Sequence, residues 1–363
     1  MQVLLGKKDE TFKAEAESFI KEYFKNTNEI NLRDLWIKLH KNSLITNNNS
    51  FLKNILLTEV LCKKEPGIGL FLLTQFACME IIKNFASPEL KNKYLDKLIS
   101  GEYIACFSLT EPSAGSDVTM IETTCTKQDK KWILNGHKIW ASNASISDII
   151  ITFAQAKAHK DKNGITGFII PSNSKEIEIL RDTPKLGVKT TPSNEVKIKN
   201  LIVDESNQIG NLGDGIKIAL NAITTGRIFC TAQAVGLLDG IIDASVKHST
   251  KRNQFGKSIS EYQAIQWYIA DMVKDLDASR LLLYKAVWAK DNNPSELTKL
   301  SSMAKYFSTS SAQKHSTHAV QILGGSGLND TSYVASCYRD SKVLEIYEGT
   351  NEIQKLIIAK ELF

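Results

Sequence analysis

Proline is scarce in this chain, seven among 363 residues. Its ring removes a backbone donor and clashes with the preceding turn, so a proline-poor sequence leaves room for long helices. A helix-dominated protein is the first expectation. Paired cysteines are missing too: Cys62, Cys78, Cys106, Cys125, Cys230 and Cys337 are scattered, with no C-x-x-C and no Cys/His cluster at zinc spacing. That excludes a dense disulfide framework, gives no metal site, and points to a reducing compartment. No window approaches ~18 uninterrupted apolar residues, so no membrane span is expected. The apolar run within Met1–Glu10 is too short for a secretory signal, which makes the cytoplasm the expected location. There is no basic stripe either. The net charge of +5 is spread along the chain, which argues against nucleic-acid binding and leaves only a weak preference for an acidic or phosphate-rich partner. Neither Gly210–Gly215 nor Gly324–Gly327 fits the Gly-x-Gly-x-x-Gly template, and no βαβ pattern surrounds them.

What is present is ordinary globular material: 42% hydrophobic and 23% charged residues, in a chain long enough to bury a core as two or three domains. Three textures follow one another. Residues 1–103 read mostly as helix, with Phe12, Phe19, Ile20 and Tyr23, then Leu56, Leu57, Val60 and Leu61, at helical spacing. The polar tract Asn42–Ser50 reads as a loop. Residues 104–212 change period and hold four of the seven prolines. Lys131–Leu134 and His137–Trp140 flank Asn135-Gly136, the favoured two-residue turn because both positions need positive φ, so a hairpin is expected there. Ile149–Phe153, Thr166–Ile170 and Val196/Ile198 with Leu201/Ile202 add short strands, and their spacing predicts a small β-sandwich or barrel. Residues 213–363 return to helix, with a stripe through Ile265, Ile269, Met272, Val273, Leu276 and Leu283. Asn293-Pro294-Ser295-Glu296 reads as a helix start and Gly324-Gly325 as a stop. Further helices near 216–250 and 351–361 make a helical bundle the natural arrangement. The expected fold is mainly α with a central β domain, divided at 1–103, 104–212 and 213–363.

Five segments carry candidate chemistry, and each taken singly also has an ordinary structural reading. Ser108–Asp117 offers small residues and hydroxyls that let backbone approach a flat polar ligand, or simply turn the chain. In Trp140–Asn143, Trp140 suits one face of an aromatic cofactor with Ser142 reaching a ring heteroatom, or else is a core Trp. Arg252–Lys257, with Gln263 eight residues after Phe255, lies in the break between two long helices. An Arg there can pair bidentately with phosphate, or decorate a charged turn. Gln321–Gly327 allows close approach to a ligand, or ends a helix. Leu344–Gln354 puts Glu348 and Gly349 just before a helix start, with Asn351 and Gln354 spaced as a capping box. A carboxylate at that place also favours the helix N-terminus without any chemistry.

In this order and over these zones, Thr110-Glu111-Pro112-x-Ala114-Gly115-Ser116-Asp117, Asn135-Gly136-x-Lys138-x-Trp140, Arg252-x-x-Phe255-Gly256, Gln321-Ile322-x-Gly324-Gly325-x-Gly327 and Tyr347-Glu348-Gly349-Thr350 resemble the acyl-CoA dehydrogenase family, from about residue 89 onward. The resemblance implies an N-terminal helical domain, a middle β domain and a C-terminal four-helix bundle, with FAD bound without a Rossmann fold. It implies homodimers or homotetramers. Carried over position by position, it puts Phe107, Leu109, Thr110, Trp140 and Ser142 at the flavin ring. Ser116 would meet the flavin phosphates or the substrate's pantetheine arm. Arg252, Phe255, Gln321 and Gly325 would meet the FAD of a neighbouring subunit, Gln263 would also bind the cofactor, and Thr350 would meet the pyrophosphate. Arg227 and Gly349 would line the thioester end of the substrate site. Glu348 would take the α-proton of an acyl thioester while the β-hydrogen leaves as hydride. The resemblance also implies that the enol-like oxygen is stabilised by the backbone N–H of Glu348 and a ribityl hydroxyl, a preorganised oxyanion site. Some relatives place the base immediately before the position of Arg227. That residue is Gly226 here, which leaves Glu348 as the candidate.

The Gly-rich segment with an acidic pair that family members carry between early helices would fall near Leu44–Phe51, where only the asparagine tract stands. Similar compactness occurs in relatives that oxidise acyl groups tethered to carrier proteins. Three functions therefore compete: an acyl-CoA dehydrogenase delivering electrons to an electron-transfer flavoprotein; a dehydrogenase or oxidase of acyl or aminoacyl groups on a carrier protein in a biosynthetic cluster; and a catalytically silent scaffold on the same fold, against which an intact Glu348 and intact flavin motifs stand.

Overall fold

The computed structural model describes residues 5–27, 29–47, 49–156 and 164–363. Met1–Leu4 of the N-terminal stretch and Asn48 of the asparagine tract lie outside the described residues. The chain opens with helices α1 (Lys7–Lys25), α2 (Leu32–Lys41), α3 (Phe51–Lys64), α4 (Ile68–Phe85) and α5 (Pro88–Ile99). Short polar residues start several of them: Ser50 and Ser87 accept from the backbone N–H of Lys53 and Leu90, and Pro88 takes the first turn of α5, where its missing N–H costs nothing.

The middle of the chain forms β1 (Ala105–Ser108), β2 (Thr124–Gln128), β3 (Lys131–Ser142), β4 (Ile149–Ala156), β5 (Ile165–Pro171), β6 (Ile177–Asp182), β7 (Ser193–Asp204) and β8 (Gln208–Ile209). They join one mixed sheet in the order β6-β7-β3-β1-β4-β5-β8, with β2 bridging β3 and β4. Strand β4 is buried on both faces, which explains its unbroken apolar run. Ile149, Ile151 and Phe153 face a core shared with α4 and α5, while Ile150 and Ala154 face a second core with Trp132, Phe168 and Val196.

The expected Asn135-Gly136 hairpin is not there. Both residues lie inside the twelve-residue strand β3, at a register shift against β7 between Leu134 and Gly136. The turn falls earlier, between β2 and β3, where Asp129 takes φ 53°. Gly136 is present because a Cβ there would lie 2.1 Å from Thr123 Oγ1. A two-residue pattern reports a need for positive φ or for space, and here it was space.

The last part holds α6 (Gly215–Lys251), a small hairpin of β9 (Asn253–Gln254) and β10 (Lys257–Ser258), α7 (Gln263–Asn292), α8 (Leu297–Leu323), α9 (Tyr333–Leu344) and α10 (Asn351–Lys360). No proline interrupts the 37, 30 and 27 residues of α6, α7 and α8. The start of α8 departs from expectation. Pro294–Glu296 form a 3₁₀ turn, Asn293 makes no cap, and the α-helix begins at Leu297. Helices α4 and α6 are long and apolar enough to cross a membrane by length and composition, contrary to the reading from uninterrupted runs, but 72% and 83% of those windows are buried in the fold. Helix α6 is apolar all round because it is the central helix. Its Phe229, Val235 and Leu238 pack with Leu57 and Phe71 from the first helices and Leu283 and Ala312 from the later ones.

Candidate active site

Two groups of residues build the site. The first sits where β1 meets β3. Phe107 is paired with Ser142 in register, and the Ile139 N–H donates to the Thr110 carbonyl at 2.9 Å. A second register shift, between Lys138 and Ala141, puts Trp140 at φ 57° and turns its ring out, 51% exposed. A bulge re-aims a side chain in this way. The structure thus brings Phe107, Leu109, Thr110, Trp140 and Ser142 together around one strand junction. Among the described residues, Thr110, Ser116 and Ser142 spend no hydroxyl on an internal hydrogen bond. The Ser108 hydroxyl and the Asn143 carboxamide are buried with no partner. An exposed indole, a half-buried Phe and several unspent polar groups fit a flat, heteroatom-rich ring system, as FAD carries.

Below this junction lies a buried ion pair. Lys138 Nζ stands 2.6 Å from Glu111 Oε1 and 3.2 Å from the Leu109 carbonyl, and Glu111 also accepts from the backbone of Glu122 and Thr123. Burial pulls the Lys138 ammonium down to about 8, against the pull of Glu111. Burial raises the Glu111 carboxyl, but Lys138 and the donated hydrogen bonds outweigh it and hold the group below its ordinary value. Both residues lie in recognisable motifs, yet the sequence offers no sign that they meet. Their contact couples the Ser108–Asp117 loop to β3.

The second group surrounds the turn between α9 and α10. Glu348 and Gly349 both take left-handed backbone, φ 58° and 85°. For a glutamate that is strained and needs outside support. The Glu348 carbonyl accepts from Arg227 Nε at 3.3 Å and Gln354 Nε2 at 3.1 Å, and Gln354 also donates to the Gly349 carbonyl at 2.8 Å. Thr350, not Asn351, caps α10, its Oγ1 accepting from the Ile353 N–H. The expected Asn351/Gln354 capping box is therefore replaced: Gln354 reaches back to the turn. The Glu348 carboxylate itself has no hydrogen-bond or ion-pair partner among the described residues. It lies against Gly226 of α6, where a Cβ would stand 2.3 Å from Oε2. Burial raises its carboxyl to about 7, with Arg227 and Lys305 pulling the other way. Arg227 is itself buried, which lowers its guanidinium, with Glu348 opposing.

The remaining predicted residues stand on the surface of the single chain. Arg252, Gln263, Gln321 and Gly325 are exposed, and Phe255, at φ 53° in the β9–β10 hairpin, is 94% exposed. Ser116 is exposed in its loop.

A helical layer, a central mixed sheet and a helical bundle, with an exposed indole at a strand junction and an unpaired, partly buried carboxylate on a strained turn, define a flavin-dependent oxidoreductase. Family patterns agree along nearly the whole chain: the acyl-CoA dehydrogenase N-terminal domain matches residues 9–102, the middle domain 106–201 and the C-terminal domain 213–363. The chain is similar to a cyclohex-1-ene-1-carbonyl-CoA dehydrogenase of Geobacter metallireducens, 34% identical over 309 residues, covering 85% of this chain and 81% of that protein. Butyryl-CoA dehydrogenase from Megasphaera elsdenii superposes with a TM-score of 0.94 at 31% identity, covering 100% of both chains. A prolyl acyl carrier protein oxidase, AnaB, superposes with a TM-score of 0.92 at 26% identity, covering 99% of both. The protein belongs to the acyl-CoA dehydrogenase family and is an FAD-dependent oxidoreductase that dehydrogenates acyl thioesters at a CH–CH bond.

Proposed function

We propose that Glu348 is the base of this reaction and that the substrate is a short or compact acyl-CoA. The observation that carries the first part is the unpaired Glu348 carboxylate held on a strained turn beside Gly226 and Arg227. FAD, when bound, supplies the acceptor for the β-hydride. Glu348 removes the α-proton, and a carboxyl poised near neutrality is a better base than an ordinary one. Gly349 leaves room for the thioester, Arg227 orients the turn from α6, and Ser116 is free to meet the cofactor or the pantetheine arm. Phe107, Leu109, Thr110, Trp140 and Ser142 would hold the flavin ring, and Thr350 would meet the pyrophosphate.

The likeness to the cyclohexenecarbonyl-CoA and butyryl-CoA enzymes favours CoA over a carrier and a small acyl group over a long one. The likeness to AnaB favours a second reading, a carrier-tethered substrate. We assign the exposed Arg252, Phe255, Gln263, Gln321 and Gly325 to the FAD of a neighbouring subunit in a homodimer or homotetramer, an electron-transfer flavoprotein to the reoxidation step, and the enzyme to the cytoplasm, in keeping with six free, buried cysteines.

Anaerobic titration of the FAD-loaded enzyme with a panel of CoA and carrier-protein thioesters tests this, by flavin bleaching. Short acyl-CoA is expected to bleach the flavin, and Glu348→Gln to keep bound FAD while losing the bleaching. Reduction of the Glu348→Gln variant at the wild-type rate refutes the assignment of the base, and bleaching by carrier thioesters alone selects the second reading.

A further inference from the structure

Lys305 of α8 is fully buried, at 0% exposure, yet no carboxylate pairs with it among the described residues. A buried ammonium with no counter-ion is costly and survives only where its hydrogen bonds are fully met. Here they are. Nζ donates to the Glu345 carbonyl at 3.0 Å, the Gly349 carbonyl at 3.0 Å and Asn351 Oδ1 at 2.9 Å. These three acceptors come from the start of the α9–α10 turn, from the residue after Glu348, and from the first residue of α10. One side chain therefore ties together the turn that carries Glu348. Thr309, one helical turn further along α8, donates to the same Asn351 Oδ1 at 3.0 Å, and Asn351 Nδ2 donates to Ser310 Oγ at 3.1 Å. Helix α8 thus presents a built polar seat for this turn, with an ammonium at its centre.

We propose that Lys305 is a positioning residue for the dehydrogenation: it holds the strained Glu348–Gly349 backbone from α8, sharing the Gly349 carbonyl with Gln354 while Arg227 holds the Glu348 carbonyl. The inference rests on Glu348 being the base. A neutral amide or hydroxyl network would satisfy the same carbonyls at lower desolvation cost, so a retained charge is consistent with use as a charge. The groups facing Glu348 are Arg227 and Cys230 from α6, Tyr347 in the turn and Lys305 from α8, with Glu345 beside Lys305. Arg227 and Lys305 are the two cations among them, and both favour the charged carboxylate.

Lys305→Met keeps the length of the side chain and removes both charge and donors. Lys305→Gln keeps a donor and removes the charge. In both variants FAD content should be retained, and the rate of flavin reduction at saturating short acyl-CoA should fall about 10- to 100-fold in Lys305→Met, with the smaller loss in Lys305→Gln. The midpoint of the pH–rate profile should move up by about one unit in both, since both lose the cation. A rate and midpoint equal to wild type in either folded variant overturns the proposal, and so does failure of both to fold, which would assign Lys305 to stability alone. Glu348→Gln, measured alongside, separates this from the underlying reading. If that variant still reduces flavin, the base is misassigned. If it does not, while Lys305→Met is unaffected, only the role of Lys305 fails.

Discussion

Replacing Gly226 by Ala tests the site at the point where fold and chemistry make opposite demands. Gly226 lies inside α6, where glycine costs roughly 0.5–1 kcal/mol relative to alanine, so the helix should gain from the substitution. The three atoms a Cβ would meet first all belong to Glu348: Oε2 at 2.3 Å, Cδ at 2.6 Å and Oε1 at 3.1 Å. These are the end of a side chain with no hydrogen bond to break, so the carboxylate can swing aside without disturbing the backbone. An ordinary contact needs more than 3.4 Å, so it must move by about 1 Å. A displacement of that size at a reacting group costs roughly 100-fold in rate, about 2.7 kcal/mol. The expected outcome is a protein that is as stable as wild type or slightly more so, that keeps its FAD, and that reduces it about two orders of magnitude more slowly. Thermal unfolding, flavin absorbance and anaerobic stopped-flow bleaching with a short acyl-CoA read the three separately. Reduction at the wild-type rate in a folded, flavin-loaded Gly226→Ala protein would refute the placement of the carboxylate. A loss of fold would refute the reasoning that a Cβ at this position meets the end of the Glu348 side chain first.

Three further outcomes follow from the electrostatics. Because burial raises the Glu348 carboxyl to about 7 and the base acts ionised, flavin reduction should increase with pH up to about 7 and level off above it; a profile flat from pH 5 to 8 would argue against this base. The same shift has a stability sign. The folded protein holds this proton more tightly than the unfolded chain, so stability should decline as pH rises between the ordinary carboxylate value and about 7, and Glu348→Gln should remove that slope in denaturant titrations. Lys138→Met should cost about 3–5 kcal/mol, because it leaves Glu111 buried and unpaired, and adding Glu111→Leu should restore much of the loss. A loss below about 1 kcal/mol in the single variant would mean the pair does not anchor the loop.

How far the site could be read from sequence depended on whether its residues are neighbours in the chain. Glu348, Gly349 and Thr350 are consecutive, and Trp140 and Ser142 share one strand, so their grouping was legible. Lys305 was not, because it lies forty residues or more from each carbonyl it holds. Nor was the Glu111–Lys138 pair, although each member stands in a visible motif. The Asn135-Gly136 turn and the Asn351/Gln354 cap were misread for a related reason. Local propensity names what a dipeptide tolerates, and tertiary packing decides which tolerance is used. At Gly136 the Thr123 side chain takes the space, and at Gln354 the carbonyls of Glu348 and Gly349 take the amide.

The sequence by itself determined that this chain is helical at both ends and β in the middle, through proline scarcity and the change of hydrophobic period, and it named the carboxylate at Glu348. Only the tertiary structure decided that this carboxylate rests unpaired against Gly226, on a left-handed turn fastened by Arg227, Gln354 and Lys305. The reason is physical. Periodicity and propensity act over a few residues, whereas the strain of that turn and the charge around it are set by helices α6, α8 and α10, which meet only when the bundle closes.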